Sequence, residues 1–206
     1  MYLRLPRPKP QFCLHSTYTI FLFRGPLRLL HIYSRNHNHR LAMVSWRPMA
    51  ENDIPSVMRV ANEIHRELPE HEPAFRERLS LFPKGCMVLV DGEEVGGYAV
   101  SFPVRHGKLP ALNDLLGEIP QDADQYYLHD IAVLPALRGR GVAGDAIRQI
   151  FELAKQYPTT CLISVYGTVP YWHRFGFVRG PVDAAMEEKL RGYGPAATYL
   201  IHKNKP

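Results

Sequence analysis

The sequence predicts an α/β fold on a mixed, mostly antiparallel sheet, and three observations carry that reading. Beyond Met43, short β-rich apolar runs alternate with segments of helical periodicity. Two of the runs, Cys86–Val90 and Val95–Val104, flank Asp91-Gly92, a turn pair that closes a hairpin. A third run, Leu128–Leu134, stops at Pro135, and from Gly141 onward the apolar residues Ile147, Ile150, Phe151 and Leu153 fall at helical spacing. That stretch reads as a buried strand, a turn, and a helix opening on glycines.

The elements follow in order. Val44–Met49 reads as a first strand. Asp53 is placed to cap a helix with Pro55 in its first turn and Val57, Val60, Ala61, Ile64 and Leu68 on one face. A second short helix is expected over Pro73–Leu81, followed by the hairpin. Arg105–Gln125 is a long connection in which Leu109, Leu112, Leu115 and Leu116 suggest a small helix, and connections of this length often border active sites. Tyr126–Leu134 is the central strand, Gly141–Tyr157 the following helix and Cys161–Val165 the next strand. Tyr171–Phe175 forms a short helix, Asp183–Leu190 another, and Ala197–His202 the last strand. No internal repeat or low-complexity tract is present.

With 206 residues, 46% of them apolar and 22% charged, the chain suits one globular domain over residues 43–206. The net charge of +5 invites a nucleic-acid reading, but residues 1–50 hold eight of the 25 Lys and Arg and none of the 20 Asp and Glu. Residues 51–206 therefore carry 17 basic against 20 acidic side chains, and no nucleic-acid partner is expected. Cys13, Cys86 and Cys161 form no C-x-x-C pair, which argues against a zinc site or a disulfide framework, so no metal is expected and a reducing, cytoplasmic compartment is favoured.

Residues 1–42 carry Pro6, Pro8, Pro10 and Pro26 and a His/Asn/Arg cluster from His31 to Arg40. Their best apolar run, Tyr18–Phe23, is too short to span a membrane, and no membrane partner is expected. The segment reads as a disordered extension or a start-site artefact. A mitochondrial transit segment is the alternative, since it is Arg-rich and acid-free, although its prolines interrupt any amphipathic helix.

The glycine-rich turn is suited to an anion, because first-turn N–H groups carry partial positive charge and glycines let a phosphate approach the backbone. Gly139, Gly141 and Gly144 match G-x-G-x-x-G in letters. A dinucleotide unit also needs an acidic residue about 20 residues on, and Lys155–Thr160 has none. A P-loop needs Gly-Lys-Ser/Thr, which is absent.

R/Q-x-x-G-x-G/A fits better, filled by Arg138, Gly141 and Ala143 after a strand ending in Val133-Leu134-Pro135, with Val169-Pro170-Tyr171-Trp172-His173-Arg174-Phe175-Gly176-Phe177 about 30 residues downstream. On these two motifs the chain resembles the GNAT superfamily of acetyl-CoA-dependent N-acyltransferases over roughly Val44–Lys203. Within it, Leu128–Val133 and Val169–Phe177 are similar to the arylalkylamine (serotonin-type) N-acetyltransferases. The resemblance implies a GNAT-like sheet splayed at the cofactor strand, with helices on both faces.

It also implies roles. Ile131, Ala132 and Val133 would pair with the pantetheine amides like an added strand, and one strand amide would serve as oxyanion donor. The loop Arg138, Gly139, Arg140, Gly141, Val142, Ala143 and Gly144 would take the pyrophosphate of acetyl-CoA. The plain alternative is a tight turn with solvated arginines.

His129 is the candidate base, since imidazole titrates near neutrality and the serotonin-type enzymes assign a water-mediated base to the matching residue. Their second histidine, two residues earlier, is Tyr127 here, and a hydrogen-bonded core histidine is the other reading of His129. Strand alternation puts Tyr127, His129 and Ile131 on one face, with Asp130 pointing away unless a bulge intervenes. In the slot where the family usually places the general-acid tyrosine this chain has Trp172. Either the adjacent Tyr171 is re-aimed to supply the proton, or Trp172 packs on the cofactor and another group does so.

Glu63, Glu67, Glu70, Glu72, Asp114, Glu118, Asp122 and Asp124 fall in segments that flank the acceptor site in the family. They form either an acidic rim for a cationic amine or solvated surface. The resulting expectation is an acetyl-CoA-dependent N-acetyltransferase acting on a small primary amine in a ternary complex, as a monomer or homodimer. A catalytically silent acyl-CoA-binding module and a protein or peptide N-acetyltransferase are the alternatives.

Overall fold

The computed structural model describes residues 44–205, so the expectations for residues 1–42 and for Cys13 lie outside the described residues. Among the described residues there are seven strands: β1 (Ser45–Pro48), β2 (Cys86–Asp91), β3 (Glu94–Val104), β4 (Gln125–Val133), β5 (Thr159–Ser164), β6 (Val178–Arg179) and β7 (Thr198–Lys203). They form one sheet in the order β1-β2-β3-β4-β5-β7-β6. Only the β4–β5 pair is parallel, so the sheet is mixed and mostly antiparallel as predicted. The two-residue β6 has no apolar run to announce it, and the sequence reading missed it.

Two irregularities in β4 shape its surroundings. Its pairing with β5 covers only Gln125↔Thr159, Tyr126↔Thr160 and Tyr127↔Cys161, after which the strands run on without each other. The sheet therefore opens between Leu128–Val133 and Leu162–Ser164. On its other side, β4 pairs Leu128 with Ser101 and Asp130 with Val100, so that His129 is an extra residue, a β-bulge. The bulge corrects the expected alternation: Asp130 joins Tyr127 and His129 on one face, and Ile131 turns to the other.

Helices cover both faces. Helix α1 (Ile54–Ile64) buries Ile54, Val57, Val60 and Ala61 and, with α2 (Glu72–Leu81), lies on the face that bears Tyr98. On the opposite face, α3 (Val142–Ala154) sets Val142 in a cluster with Leu89, Val133 and Leu137. Burying Ile147 and Ile150 of α3 completely contributes roughly 3–6 kcal/mol together. Two further helices, α4 (Val169–His173) and α5 (Ala184–Gly192), follow β5 and β6. Asp183 caps α5 by accepting from Met186 N at 2.8 Å.

Three local expectations are revised. Leu68 lies past the end of α1. Asp53 does not cap α1 with its side chain; it accepts from Ala50 N and from Arg47, closing the short turn ahead of the helix. No helix forms between residues 105 and 124. That connection is held by side chains instead: Glu77 of α2 accepts from Leu116 N and Gly117 N at 2.6 and 2.9 Å, and Asn113 Oδ1 accepts from His71 N at 2.6 Å. Leucine spacing favours a helix, but these anchors satisfy the loop backbone without one.

Candidate active site

The cavity at the opened end of β4 has a volume of ≈ 60 Å³; its polar lining comes from Tyr98 of β3, His129 and Asp130 of β4, His65 and Glu70 of the segment between α1 and α2, and Tyr193 after α5. Among its lining residues is His129, whose side chain is 2% exposed. His129 Nε2 lies 2.7 Å from Glu70 Oε2. Glu70 in turn accepts from Arg78 Nη2 at 3.2 Å and from Asn113 N at 3.4 Å. The connection with Pro69 is fixed as well, because Asn113 Nδ2 donates to the Pro69 carbonyl.

Burial alone pushes the Glu70 carboxyl up, but the charges and hydrogen bonds of His129, the Arg78 guanidinium and the Asn113 N–H overcome it and bring it down to about 2. An ionised carboxylate only accepts, so His129 Nε2 is the donor. In the neutral ring Nδ1 then carries the free lone pair, and Nδ1 is buried without a hydrogen-bond partner. A carboxylate that fixes the tautomer of a histidine is how a base is aimed.

Asp130 is the second carboxylate of the cavity. Its Oδ2 accepts a short hydrogen bond from the Tyr98 phenol, and its Oδ1 lies 3.2 Å from His65 Nε2, close enough for charge attraction but out of hydrogen-bond alignment. Burial and then Asp130 hold Tyr98 well above the usual phenol range, so it stays protonated. For His65, burial works against the charged form, but Asp130 outweighs it and the net shift is upward.

The glycine turn lies on the far end of β4. A short 3-10 turn, Pro135–Leu137, sends Leu137 against β3, where a Cβ on Gly96 would sit 2.3 Å from Leu137 Cδ1 and would push that side chain aside. Arg138 Nε donates to the Val133 carbonyl at 2.8 Å, tying its guanidinium to the strand end. Gly139 and Gly141 have φ of 77° and 80°, and Gly141 is the N-cap of α3. The left-handed glycines turn the chain so that Val142 and Ala143 open the helix with first-turn N–H groups that have no intrahelical partner. Gly144 N is already bonded to the Gly141 carbonyl at 2.9 Å, and Arg140 is exposed.

Ile131, Ala132 and Val133 lie in the stretch of β4 that β5 leaves unpaired. Trp172 is 7% exposed and packs edge-on to Phe177 and Tyr171. Tyr171 is half-buried with the Arg174 guanidinium 5.8 Å over its ring; burial raises its phenol and Arg174 partly offsets this.

The acidic residues divide. Only Glu70 of that set enters the cavity, whereas Asp114, Asp122 and Asp124 accept from Ala111 N, Arg105 and His106 N within the connection. The sequence reading missed Asp130, Arg78, His65, Tyr98 and Tyr193 as cavity or supporting residues. Nothing in their immediate spacing marks them, because the bulge and the loop anchors bring them together.

A mixed sheet splayed at a bulged central strand, with a glycine turn leading into a helix, defines a recognised class. The chain belongs to the acetyltransferase (GNAT) family, whose pattern matches residues 52–177. Solved structures share the fold at low identity. N-acetylglutamate synthase from Neisseria gonorrhoeae, complexed with coenzyme A and N-acetyl-glutamate, aligns with a TM-score of 0.61 and 16% identity over 80% of this chain and 36% of that one. Ard1 from Thermoplasma volcanium aligns with 0.58 and 13% identity over 79% and 99%. Arabidopsis thaliana Naa50, in complex with a bisubstrate analogue of CoA and a peptide, aligns with 0.56 and 10% identity over 77% and 96%. No curated protein matches the chain by sequence. Among the described residues, no helix is long and apolar enough to cross a membrane.

Proposed function

We propose that the chain is an N-acetyltransferase that moves an acetyl group from acetyl-CoA to a small primary amine by direct transfer in a ternary complex. The observation that carries this is the juxtaposition at β4: a strand edge left open by β5, with a histidine bulged from the same strand that lines the adjoining cavity and keeps a buried ring nitrogen without a hydrogen-bond partner. Neighbours of the same fold bound to coenzyme A support acetyl-CoA as cosubstrate.

In this reading Ile131, Ala132 and Val133 pair with the pantetheine amides, and a strand N–H meets the thioester oxygen as it gains charge; such a donor contributes roughly 3 kcal/mol in the transition state. Arg138, Gly139, Arg140, Gly141 and the first-turn N–H groups of Val142 and Ala143 receive the pyrophosphate. The acceptor arrives as an ammonium and gives one proton to His129 Nδ1. The neutral nitrogen attacks the thioester carbon, the N–C bond forms, the C–S bond breaks, and the nitrogen loses its second proton. The departing thiolate takes one proton, for which Tyr171 is the donor, so one proton is released overall. Trp172 packs beneath this region as a core side chain rather than as the acid.

The likeness to the arylalkylamine subgroup rests on Leu128–Val133 and Val169–Phe177, with Tyr127 standing where that group has a second histidine. Tyr127 is fully buried and meets the His129 ring edge-on at 5.4 Å, so it supports the base sterically.

The test is a thermal-shift titration of the full chain with acetyl-CoA, followed by an amine panel read by free thiol. A shift with thiol release supports the transferase. A shift without release across the panel replaces it with a silent CoA-binding module, and no shift overturns cosubstrate binding.

A further inference from the structure

The transfer steps above use His129, which Glu70 orients, but leave Asp130 without a task. The charges in the cavity are unevenly matched. Glu70 is met by Arg78 and His129, whereas among the described residues no Lys or Arg lies within ion-pair distance of Asp130. Its only cationic neighbour at that range is His65, whose Nε2 is not aligned with it. Tyr98 pins Asp130 from the buried side, and 17% of the Asp130 side chain remains exposed. The bulge sets it next to His129, whose buried Nδ1 is unpartnered. Apart from Tyr193, whose hydroxyl is buried and unpartnered, the rest of the wall is apolar: Ala61, Leu68, Phe75, Leu112, Ile163 and Val165.

We propose that Asp130 is the ammonium anchor of the acceptor site, and that the acceptor is a primary amine on an apolar body with no carboxylate beside the amino group. This rests on the transferase reading. An ammonium at Asp130 gains a counter-ion in a weakly solvated place, where charge attraction is strong, while a carboxylate on the neighbouring carbon would be carried towards Glu70 and Asp130 and repelled. The adjacent His129 Nδ1 then takes the proton from the anchored nitrogen, leaving the amine neutral and the imidazole charged. The apolar wall receives the body of the molecule.

The test pairs n-butylamine with norvaline, which is the same amine carrying an α-carboxylate. Calorimetry of the full chain with n-butylamine, with and without saturating CoA, reads binding apart from transfer, and acetyl-transfer kinetics read KM against kcat. The expected results are binding weakened at least tenfold in Asp130→Asn, a larger change in KM than in kcat, and a KM for norvaline at least a hundredfold above that for n-butylamine in the unaltered chain. The last comparison needs no variant, so it stands even where Asp130→Asn fails to fold. Norvaline serving as well as n-butylamine, or undiminished binding to folded Asp130→Asn, overturns the anchor. Binding lost in Asp130→Asn without any thiol release from the unaltered chain retains the anchor and overturns the transferase reading instead.

Discussion

Glu70 and His129, 59 residues apart in the chain, meet at 2.7 Å through Oε2 and Nε2, with Arg78 closing the far side of the carboxylate. The contact joins the segment between α1 and α2 to the bulge of β4, so orienting the His129 ring and holding the fold are one interaction.

Glu70→Gln is expected to lower turnover by about ten- to a hundredfold, the usual cost of losing a group that orients a functional histidine. An amide accepts the Nε2–H less well and its NH₂ can enforce the opposite tautomer. Steady-state kinetics with acetyl-CoA binding measured in parallel check this; the dissociation constant for acetyl-CoA is expected to stay within twofold.

Glu70→Ala is expected to cost about 3–5 kcal/mol of stability, because Arg78, 1% exposed, is left as an uncompensated buried charge. Urea unfolding of variant and parent gives the difference directly. A loss below about 1 kcal/mol would mean that the ion pair is not what holds Arg78 in place.

The same carboxyl sets an acid limit. Its folded value of about 2 is depressed from an ordinary 4.5, so its contribution is complete above pH 4.5 and lost as pH falls from there towards 2. The size is on the order of 3 kcal/mol. Denaturant midpoints at pH 6 and pH 3 are expected to differ by more in the parent than in Glu70→Gln.

His129→Ala is expected to reduce turnover by about a hundredfold or more, the lower range for a positioned base, while acetyl-CoA affinity is retained. Stopped-assay thiol release against calorimetric acetyl-CoA binding separates the two. Equal turnover in parent and variant would return His129 to a packing role.

Gly141→Val is expected to weaken acetyl-CoA binding by about tenfold or more, since a β-branched residue at φ 80° costs about 1–3 kcal/mol. A Cβ at this position meets open space, so the penalty is conformational and falls on the turn rather than the core. An unchanged dissociation constant would refute the assignment of the loop to the pyrophosphate.

The legible and illegible parts of the chain divide by range. The hairpin, the β4-turn-α3 junction and the fold class were readable because each is set by local periodicity and turn chemistry. The bulge was not, since one extra residue in a strand alters no propensity, and it reverses which of Asp130 and Ile131 faces the cavity. Glu70 looked like its neighbours Glu63, Glu67 and Glu72; what singles it out is Asn113 and Arg78, which approach from segments 43 and 8 residues away. Trp172 was readable as a departure from the family pattern, and its burial explains why the position tolerates an indole: it faces Phe177, not solvent.

The three residue pairs between β4 and β5 are also a mechanical seam. Four strands lie on one side of it and three on the other, and few backbone bonds cross. A cosubstrate laid into the gap would act as the missing rung, so its concentration would set the rigidity of the whole sheet: saturation at about 100 times Kd adds about 2.7 kcal/mol against unfolding. Amide hydrogen exchange at Leu162–Ser164, slowed by ligand far from any pyrophosphate contact, would be the signature of a sheet completed only when loaded.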